Sequence, residues 1–327
     1  MAVLEPFKPA PWLKNAHLQT LWPFCFRSHP KPAYRRQRIE LPDGDFIDID
    51  WLDPAEKSKA KAITLLVHGL QGSSQSHYIR GIGTALGRSG FQVAALNFRG
   101  RSGELNRLAV FGHAGHTPDI NFIIQKLTRD FPNRRITIVG VSLGASMVLN
   151  WLAKEKNAPK LINSAVVIST PFLLDQSARK MSIGFSRVYQ FYLILSLKNS
   201  IASKLKKMPL PGILDHWKSS KTFFEFDDAV TSRLHGFKDV HDYYQQASTK
   251  NQLIAIETPL LIIHARDDPF MSADVIPCGA DVNSNTTLEI YDSGGHAGFI
   301  SARRYKPFYW LDRRIVSYFE GALKTAE

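Results

Sequence analysis

The most constraining feature of this chain of 327 residues is the pentapeptide at 140–144, which reads Gly-Val-Ser-Leu-Gly. An apolar, β-branched run over 136–139 predicts a strand before it, and the sequence of 145–154 predicts a helix after it. Glycine at both ends allows the tight turn that such a strand and helix require. A serine at the centre of this arrangement is typical of a nucleophile elbow, in which the hydroxyl is exposed at the edge of a sheet. We therefore predict Ser142 to be a nucleophile.

The pentapeptide alone is a weak signal, because a small turn residue or a helix N-cap at Ser142 would give the same pattern. Stronger support comes from chain order, since an acid and then a histidine follow an elbow serine. Residues 260–265 form a buried-strand pattern, and the adjacent carboxylates Asp267 and Asp268 follow it closely. Only one of them can face the histidine, and the apolar pair at 270–271 has the spacing expected after Asp268. We predict Asp268 as the acid and keep Asp267 as the alternative.

Two loops contain the remaining groups that a serine nucleophile requires. His296 lies in a glycine-rich loop after the last strand pattern, 287–291, where its ring can reach the edge of the sheet. We predict it as the general base; the alternative is a histidine in a surface loop. The strand pattern 63–67 runs into the sequence His-Gly-Leu-Gln-Gly, a loop that supplies a backbone N–H to an oxyanion hole. The predicted oxyanion donors are the N–H groups of Leu70 and Leu143.

Strand and helix patterns alternate along most of the chain. This alternation predicts an α/β fold whose central sheet is mostly parallel and carries helices on both faces. Before it, residues 1–33 are rich in proline and aromatic side chains and predict an irregular arm, and the turn signal at 42–45 predicts a hairpin. The strand patterns are 62–67, 91–96, 135–139 and 164–169; the helical patterns are 76–89, 117–130 and a closing amphipathic helix at 308–323.

The alternation stops after Pro171 and resumes at 260. The length of the chain fits one large domain with a sizeable insertion. We predict an α/β core formed by 1–170 and 251–327, and a helical cap formed by 171–250 that covers Ser142. A cap would exclude water and shape the substrate pocket. The alternative is a helical appendage packed elsewhere on the core.

The net charge of +12 raises the question of an anionic partner. The charge is uneven, with nine Lys and Arg against two Asp between Pro171 and Lys221, and a second basic patch at 35–38. No nucleic-acid-binding signature accompanies either patch, so we expect no nucleic-acid partner. Solvated surface is the first interpretation of this charge. The alternative is weak association with an anionic membrane surface or an anionic acyl carrier.

The cysteine content and the lack of targeting or membrane-spanning patterns indicate the cellular compartment. The two cysteines, Cys25 and Cys278, imply no disulfide framework, which suits a reducing compartment. The first residues do not have the pattern of a signal peptide, and no stretch of 18 uninterrupted apolar residues predicts a spanning helix. We expect a cytoplasmic protein.

Other polar clusters give weaker signals. His113 and His116 have the spacing of a metal pair, but no carboxylate or cysteine cluster completes it, so we expect neither a metal ion nor a cofactor. Asp119 is expected to open the helix that follows the strand 91–96. Five charged or titratable residues of the cap favour a structural salt-bridge network over a role in substrate binding: Glu225, Asp227, Asp228, Arg233 and His235.

Motifs are spread along nearly the whole chain, at 15–20, 41–46, 68–72, 98–100, 140–144, 184–190, 225–228, 264–271 and 294–299. This set resembles the YheT-type esterases of the α/β-hydrolase superfamily (AB hydrolase 4 family). The resemblance implies the hydrolase fold, the triad Ser142, Asp268 and His296, and a preference for short- or medium-chain acyl esters. Arg101 departs from the family, where cysteine is expected, and Ala145 stands where glycine is common.

Together these patterns predict a serine esterase that cleaves short- to medium-chain carboxylic esters, with a small-molecule acyl ester as its partner. An acyltransferase or a thioesterase using the same triad is the alternative among enzymes. A non-catalytic protein that binds a surface or a partner through its basic cap is the alternative outside enzymes. A serine at the elbow disfavours chemistries that need an aspartate nucleophile.

Overall fold

The central element of the computed structural model is an eight-stranded sheet. Residues 5–27, 32–54, 56 and 59–325 are described. The strands are β1 Arg35–Glu40, β2 Phe46–Leu52, β3 Ile63–Val67, β4 Gln92–Asn97, β5 Ile136–Val141, β6 Ser164–Ile168, β7 Leu260–Ala265 and β8 Thr286–Tyr291. Their spatial order is β1-β2-β4-β3-β5-β6-β7-β8. The pairs β1–β2 and β2–β4 are antiparallel, and the other pairs are parallel.

Helices cover both faces of the sheet, so its inner strands are buried on both sides. All residues of β3 to β7 are buried, and most of them are β-branched or aliphatic, as a doubly covered parallel sheet requires. One face packs on α3 (Pro118–Asp130) and α4 (Leu143–Lys154), and the other on α2 (His77–Arg88) and α11 (Trp310–Thr325). The predicted α/β fold with a mostly parallel sheet is confirmed.

Residues 169–259, between β6 and β7, contain helices and turns and no strand. The helices of this segment are α6 Leu174–Met181, α7 Ser186–Leu205, α8 Phe223–Phe226, α9 Ser232–Leu234 and α10 Val240–Ala247; the short α5, Ala158–Leu161, precedes β6. The segment has an apolar core of its own around Ile194, Ile201 and Phe226. The division into an α/β core and a cap at 171–250 stays a prediction.

The prediction of an irregular arm over 1–33 is wrong in its middle part, where residues Ala16–Phe26 form the helix α1. Asn15 starts this helix, because its side-chain oxygen accepts from the N–H groups of His17 and Leu18. Residues 1–4 and 28–31 lie outside the described residues. A small hairpin, β9 (Ile300–Arg303) and β10 (Lys306–Tyr309), was not predicted either, and the closing helix begins two residues later than expected. None of the helices in the described ranges is long and apolar enough to span a bilayer.

Candidate active site

Ser142 lies at the sharp turn between β5 and α4, with φ 56° and ψ −123°. This backbone conformation is strained for a residue with a side chain and costs about 1–3 kcal/mol. Glycine is needed on both sides, because a Cβ at Gly140 would lie 2.7 Å from the Cα of Ala145, and one at Gly144 would lie 2.4 Å from the carbonyl oxygen of His68. The Ser142 side chain makes no N-cap hydrogen bond to α4. The turn thus leaves the hydroxyl free for another partner.

That partner is His296, which joins Ser142 to Asp268 in one hydrogen-bonded chain. The Oγ of Ser142 lies 2.9 Å from Nε2 of His296, and Nδ1 of His296 lies 2.8 Å from Oδ2 of Asp268. An ionised carboxylate can only accept a hydrogen bond, so Nδ1 of the neutral ring donates and Nε2 accepts from the serine hydroxyl. The structure therefore brings together the three side chains that chain order predicts as a triad.

The two adjacent carboxylates have different partners. Asp268 is only 2 % exposed; its Oδ1 accepts from the N–H of Phe270 at 2.8 Å while Oδ2 faces His296. Asp267 accepts from the N–H of Gly295 at 2.9 Å and so holds the loop that carries the histidine. The geometry favours Asp268 as the partner of the imidazole and leaves Asp267 a role in loop structure.

The ring of Phe270 covers one face of the imidazole of His296. The two rings are parallel within 7°, with centroids 3.9 Å apart. Phe270 also contacts Tyr189 of α7, at a centroid separation of 5.0 Å. The stack restricts rotation of the imidazole, while its two nitrogens are held by Ser142 and Asp268. In the sequence, Phe270 served only to identify Asp268 as the acid, and nothing there predicted its contact with the imidazole.

Helix α1 anchors the histidine loop from the N-terminal end of the chain. The N–H of His296 donates to Oγ1 of Thr20 at 2.9 Å. The buried side chain of Gln19 binds both backbone groups of Ile300, accepting at 2.7 Å and donating at 3.1 Å. The approach is close, since a Cβ at Gly298 would lie 2.2 Å from the carbonyl oxygen of Gln19. The sequence did not predict this role for Gln19 and Thr20. The one indication of their importance was that both belong to a segment that carries the family resemblance.

We expect Thr20→Val to lower kcat for ester hydrolysis by about 5- to 50-fold, because valine has the same shape but cannot accept from the N–H of His296. Steady-state kinetics on a dissolved ester measures the change. Thr128→Val is the matched control, since the Thr128 hydroxyl also donates to a carbonyl four residues earlier but lies in α3, outside the site. Equal rates for Thr20→Val and wild type would contradict the anchoring role.

The loop after β3 lies against the elbow, where an oxyanion hole is predicted. A Cβ at Gly69 would lie 3.0 Å from the Cβ of Ser142, so a larger residue there would crowd the nucleophile. The backbone N–H groups of Leu70 and Leu143 donate to no acceptor among the described residues. Both residues line the same cavity as Ser142. Their N–H groups are thus available to a developing oxyanion; their assignment as its donors stays a prediction.

A neutral histidine holds this loop in place. Burial lowers the pKa of His68 to about 3, so the ring carries no charge at neutral pH. Its Nδ1 donates to the carbonyl oxygen of Gly69 at 2.7 Å, which leaves Nε2 to accept from the N–H of Phe98 at 3.2 Å. The hydroxyl of Tyr78 accepts from the N–H of Gly69 at 2.9 Å. These contacts fix the backbone from which the predicted donor Leu70 projects its N–H.

The same loop is linked to α7 through Gln71 and Arg101. The guanidinium of Arg101 donates to the backbone oxygens of Gln71 and Gly72 and to the Gln71 side chain. The side-chain oxygen of Gln71 also accepts from the hydroxyls of Ser196 and Ser200 at 3.1 and 3.2 Å. The arginine that departs from the family pattern therefore supports the loop after β3 and joins it to the helical segment between β6 and β7.

A cavity of about 570 Å³ opens from Ser142 into this helical segment. Its volume lies within the range of pockets that take small organic ligands. Most of its walls are apolar, contributed by α1, α6, α7 and residues 223–244. Representative lining side chains are Leu21, Leu143, Met181, Tyr189, Leu197 and Phe226. A flexible apolar chain attached at Ser142 would be buried there.

Comparison with known proteins identifies the family. The sequence profile of a family described as having the alpha/beta hydrolase fold matches residues 65–302. A protein of Escherichia coli (strain K12) named "Putative esterase YheT" is 41 % identical over 98 % of this chain and 94 % of its own length. The chain belongs to the α/β-hydrolase family. The resemblance to YheT-type esterases is thereby confirmed.

Other relatives of this α/β-hydrolase bear the names of lipid-cleaving enzymes. A monoacylglycerol lipase of Saccharomyces cerevisiae is 30 % identical and covers 76 % of this chain and 57 % of its own. A phospholipase of Bos taurus, ABHD3, is 28 % identical over 98 % of this chain and 80 % of its own length. The crystal structure of an esterase from Pyrococcus furiosus aligns with a TM-score of 0.55 at 18 % identity, over 88 % and 92 %, and shows the shared fold. Esterase- and lipase-type relatives support hydrolase activity for this chain.

The histidine pair of this α/β-hydrolase lies in a buried ring cluster. The rings of His113, His116 and His235 are 4.4–6.4 Å apart. Burial lowers the pKa of His113 well below its usual range and that of His235 to about 3. No group of three His, Cys, Asp or Glu able to hold a metal ion occurs in the described part of the chain. Asp119 lies in the first turn of α3, as predicted, and accepts from Arg99 at 2.6 Å.

The five charged or titratable residues predicted as a network do not form a single one, and only two of them, Asp228 and Arg233, pair with each other. Glu225 closes the capping box at the start of α8, and Asp228 lies 3.6 Å from Arg233. Asp227 begins a π-helical turn, Asp227–Thr231, and lines the cavity. Its carboxylate accepts from the hydroxyls of Thr231 at 2.6 Å and Tyr244 at 2.8 Å. Burial raises the pKa of Asp227 to about 6.

We expect the stability of the wild type to fall relative to Asp227→Asn as pH rises from about 4 to about 7. The raised pKa means that the folded state favours the protonated carboxyl; this contribution is complete below the ordinary pKa and is lost as pH passes about 6. The expected relative loss is about 1–3 kcal/mol. Urea unfolding at several pH values measures it, with the exposed Asp215→Asn as control. Parallel curves for wild type and Asp227→Asn would refute this account.

Proposed function

We propose that this chain is a serine esterase that cleaves short- to medium-chain carboxylic esters through an acyl-serine intermediate. The observation that carries the proposal is the hydrogen-bonded chain from Ser142 through His296 to Asp268 at the wall of an apolar cavity. A serine hydroxyl is a weak nucleophile until a base removes its proton, and a base at hydrogen-bond distance does so as the attack proceeds.

In the first half of the reaction Oγ of Ser142 attacks the ester carbonyl, and Nε2 of His296 takes the hydroxyl proton. Asp268 keeps Nδ1 protonated and stabilises the imidazolium that forms. The N–H groups of Leu70 and Leu143 bind the negative oxygen of the tetrahedral intermediate, each contributing about 10²–10³ in rate. The intermediate then collapses, the bond to the leaving alcohol breaks, and the alcohol takes the proton from Nε2. Ser142 is left acylated.

In the second half water attacks the acyl-serine carbonyl and gives its proton to Nε2 of His296. The tetrahedral intermediate forms again, and its collapse breaks the bond to Oγ of Ser142. The proton returns from Nε2 to Oγ, and the carboxylic acid leaves. The serine hydroxyl and the neutral imidazole are restored, so each turnover consumes one ester and one water.

The apolar walls of the cavity favour recognition of the substrate through its acyl chain. Burial of each methylene contributes about 0.8 kcal/mol, which corresponds to about 4-fold in kcat/KM. We therefore expect kcat/KM to rise along a series of p-nitrophenyl esters from acetate to a medium-chain optimum and to fall again at palmitate. A fluorophosphonate probe should label the protein. Absence of both labelling and ester cleavage would contradict the proposal, and a maximum at palmitate would contradict the chain length.

A further inference from the structure

Large apolar side chains are exposed on two neighbouring segments of the molecule. On α1, Phe24 is 67 % exposed, and on α7 Phe191 and Tyr192 are 69 % and 62 % exposed. These side chains belong to two segments, 12–26 and 183–195. We call their exposed apolar side chains the rim surface: Trp12, Leu18, Leu21, Phe24, Phe26, Ile183, Phe185, Val188, Phe191, Tyr192 and Leu195. Beyond them, the large apolar side chains exposed among the described residues are Ile254 and Tyr305, and the ring of Tyr305 stacks on that of Trp12. Exposed apolar area is therefore concentrated rather than scattered, as at interaction sites.

The rim surface borders the opening of the cavity that contains Ser142. Five of its side chains line the cavity and are exposed at the same time: Leu21, Phe24, Phe185, Val188 and Tyr192. The two segments meet directly, since the ring of His17 lies 4.6 Å from that of Phe185. The Nδ1 of His17 also lies 3.1 Å from the hydroxyl of Tyr189. An apolar molecule in contact with the rim surface can therefore enter the cavity without crossing a polar surface.

The two stretches of the chain that carry the rim surface contain basic side chains and no acidic ones. No Asp or Glu occurs in 6–39 or in 176–214, whereas the second range alone contains seven Lys and Arg. Among the basic side chains of these ranges, Lys8, Lys14, Arg179 and Arg187 are exposed. Apolar side chains between cationic groups are the composition that binds at the surface of an anionic bilayer, where each basic residue adds about 1 kcal/mol.

We propose that the rim surface docks on an anionic lipid surface and that the cavity takes its ester from that surface. A protein partner or a second copy seated on these side chains would cover the opening, whereas a lipid surface both covers the apolar side chains and holds esters at the opening. Docking goes beyond the proposed esterase function, because binding does not require turnover, whereas the uptake of an ester from the surface rests on that function.

The primary experiment measures binding of Ser142→Ala to vesicles, so that no ester is cleaved. We expect co-sedimentation with vesicles of phosphatidylcholine containing about one quarter phosphatidylglycerol, and about 10-fold weaker binding to phosphatidylcholine alone or at high salt. In the same background, Phe191→Ser with Leu195→Ser should weaken binding at least about 10-fold. Neither residue lines the cavity. Ile254→Ser, an exposed isoleucine outside the rim surface, is the matched control.

Unchanged binding after Phe191→Ser with Leu195→Ser, or an equal loss after Ile254→Ser, would overturn the proposal. So would failure of the parent protein to bind anionic vesicles, or a dimer that the double substitution converts to a monomer. The same double substitution in the chain with Ser142 intact should leave cleavage of a dissolved short ester unchanged, which also shows that it folds. Failure of docking is thus distinguished from failure of the esterase proposal.

The natural cysteines allow a second, site-specific readout. Cys25 is exposed on α1 beside Phe24 and Phe26, and Cys278 is exposed outside the cavity lining. A polarity-sensitive fluorophore on Cys25, in a chain carrying Cys278→Ser, should shift to shorter wavelength when anionic vesicles are added. The same fluorophore on Cys278, in a chain carrying Cys25→Ser, should not shift. Equal responses at the two positions would overturn the assignment of the docking face.

Discussion

Replacement of Ser142 by alanine is expected to lower kcat for ester hydrolysis by a factor of about 10⁴–10⁶. Alanine removes the atom that would form the acyl intermediate, and the remaining groups can act only on a water molecule. Labelling by a fluorophosphonate should be lost with the activity. The free energy of unfolding should fall by no more than about 0.5–1.5 kcal/mol, because alanine keeps the same backbone strain and the side-chain hydrogen bond that is lost is the one to His296.

The matched control is Ser146→Ala, in the first turn of the same helix. Ser146 is fully buried, and its hydroxyl has no hydrogen-bond partner in the described structure. Its removal is therefore expected to leave kcat and labelling unchanged and to leave stability equal or slightly higher. Ester hydrolysis by Ser142→Ala within about 10-fold of the wild-type rate would contradict the role of Ser142 as nucleophile.

The elbow was predictable from sequence because its requirements are local. The strained backbone of Ser142 and the close contacts at Gly140 and Gly144 act within a few residues of one another and leave a readable pattern. The alternation of strand and helix is also local, and it predicted the α/β fold before the sheet order was known. Chain order then connected the elbow to His296 and to the adjacent carboxylates.

The contacts that orient the imidazole were not predictable, because they join segments that are distant in sequence. Thr20 accepts from the N–H of His296 across 276 residues, and Phe270 stacks on its ring. Threonine and phenylalanine have many roles elsewhere, so a single sequence does not single them out. The helix α1 was missed for a related reason. A segment rich in aromatic residues with Pro23 inside it resembles a loop, and the groups to which α1 is hydrogen-bonded, at His296 and Ile300, lie far along the chain.

Asp268→Asn is expected to lower kcat by about 10³–10⁴ while the protein stays folded. A neutral amide in place of the carboxylate can donate to Nδ1 of His296, which favours the tautomer whose proton lies on Nε2. That tautomer cannot accept the proton of Ser142, and the imidazolium loses its counter-charge. Steady-state kinetics with a dissolved ester measures the effect, and a native circular dichroism spectrum with an unchanged thermal midpoint excludes unfolding.

Asp267→Asn is the matched control for Asp268→Asn. It shows whether the loss of kcat is specific to the carboxylate of Asp268 or follows from replacing either acid at this turn. The contact that Asp267 makes is with the N–H of Gly295, and the side-chain oxygen of asparagine can accept that hydrogen bond equally well. We therefore expect a loss of less than about 10-fold in kcat. A larger loss in Asp267→Asn than in Asp268→Asn would transfer the role of the acid to Asp267. The reverse order is expected because only the carboxylate of Asp268 lies 2.8 Å from Nδ1 of His296 and, at 2 % exposure, acts on the ring without screening by water.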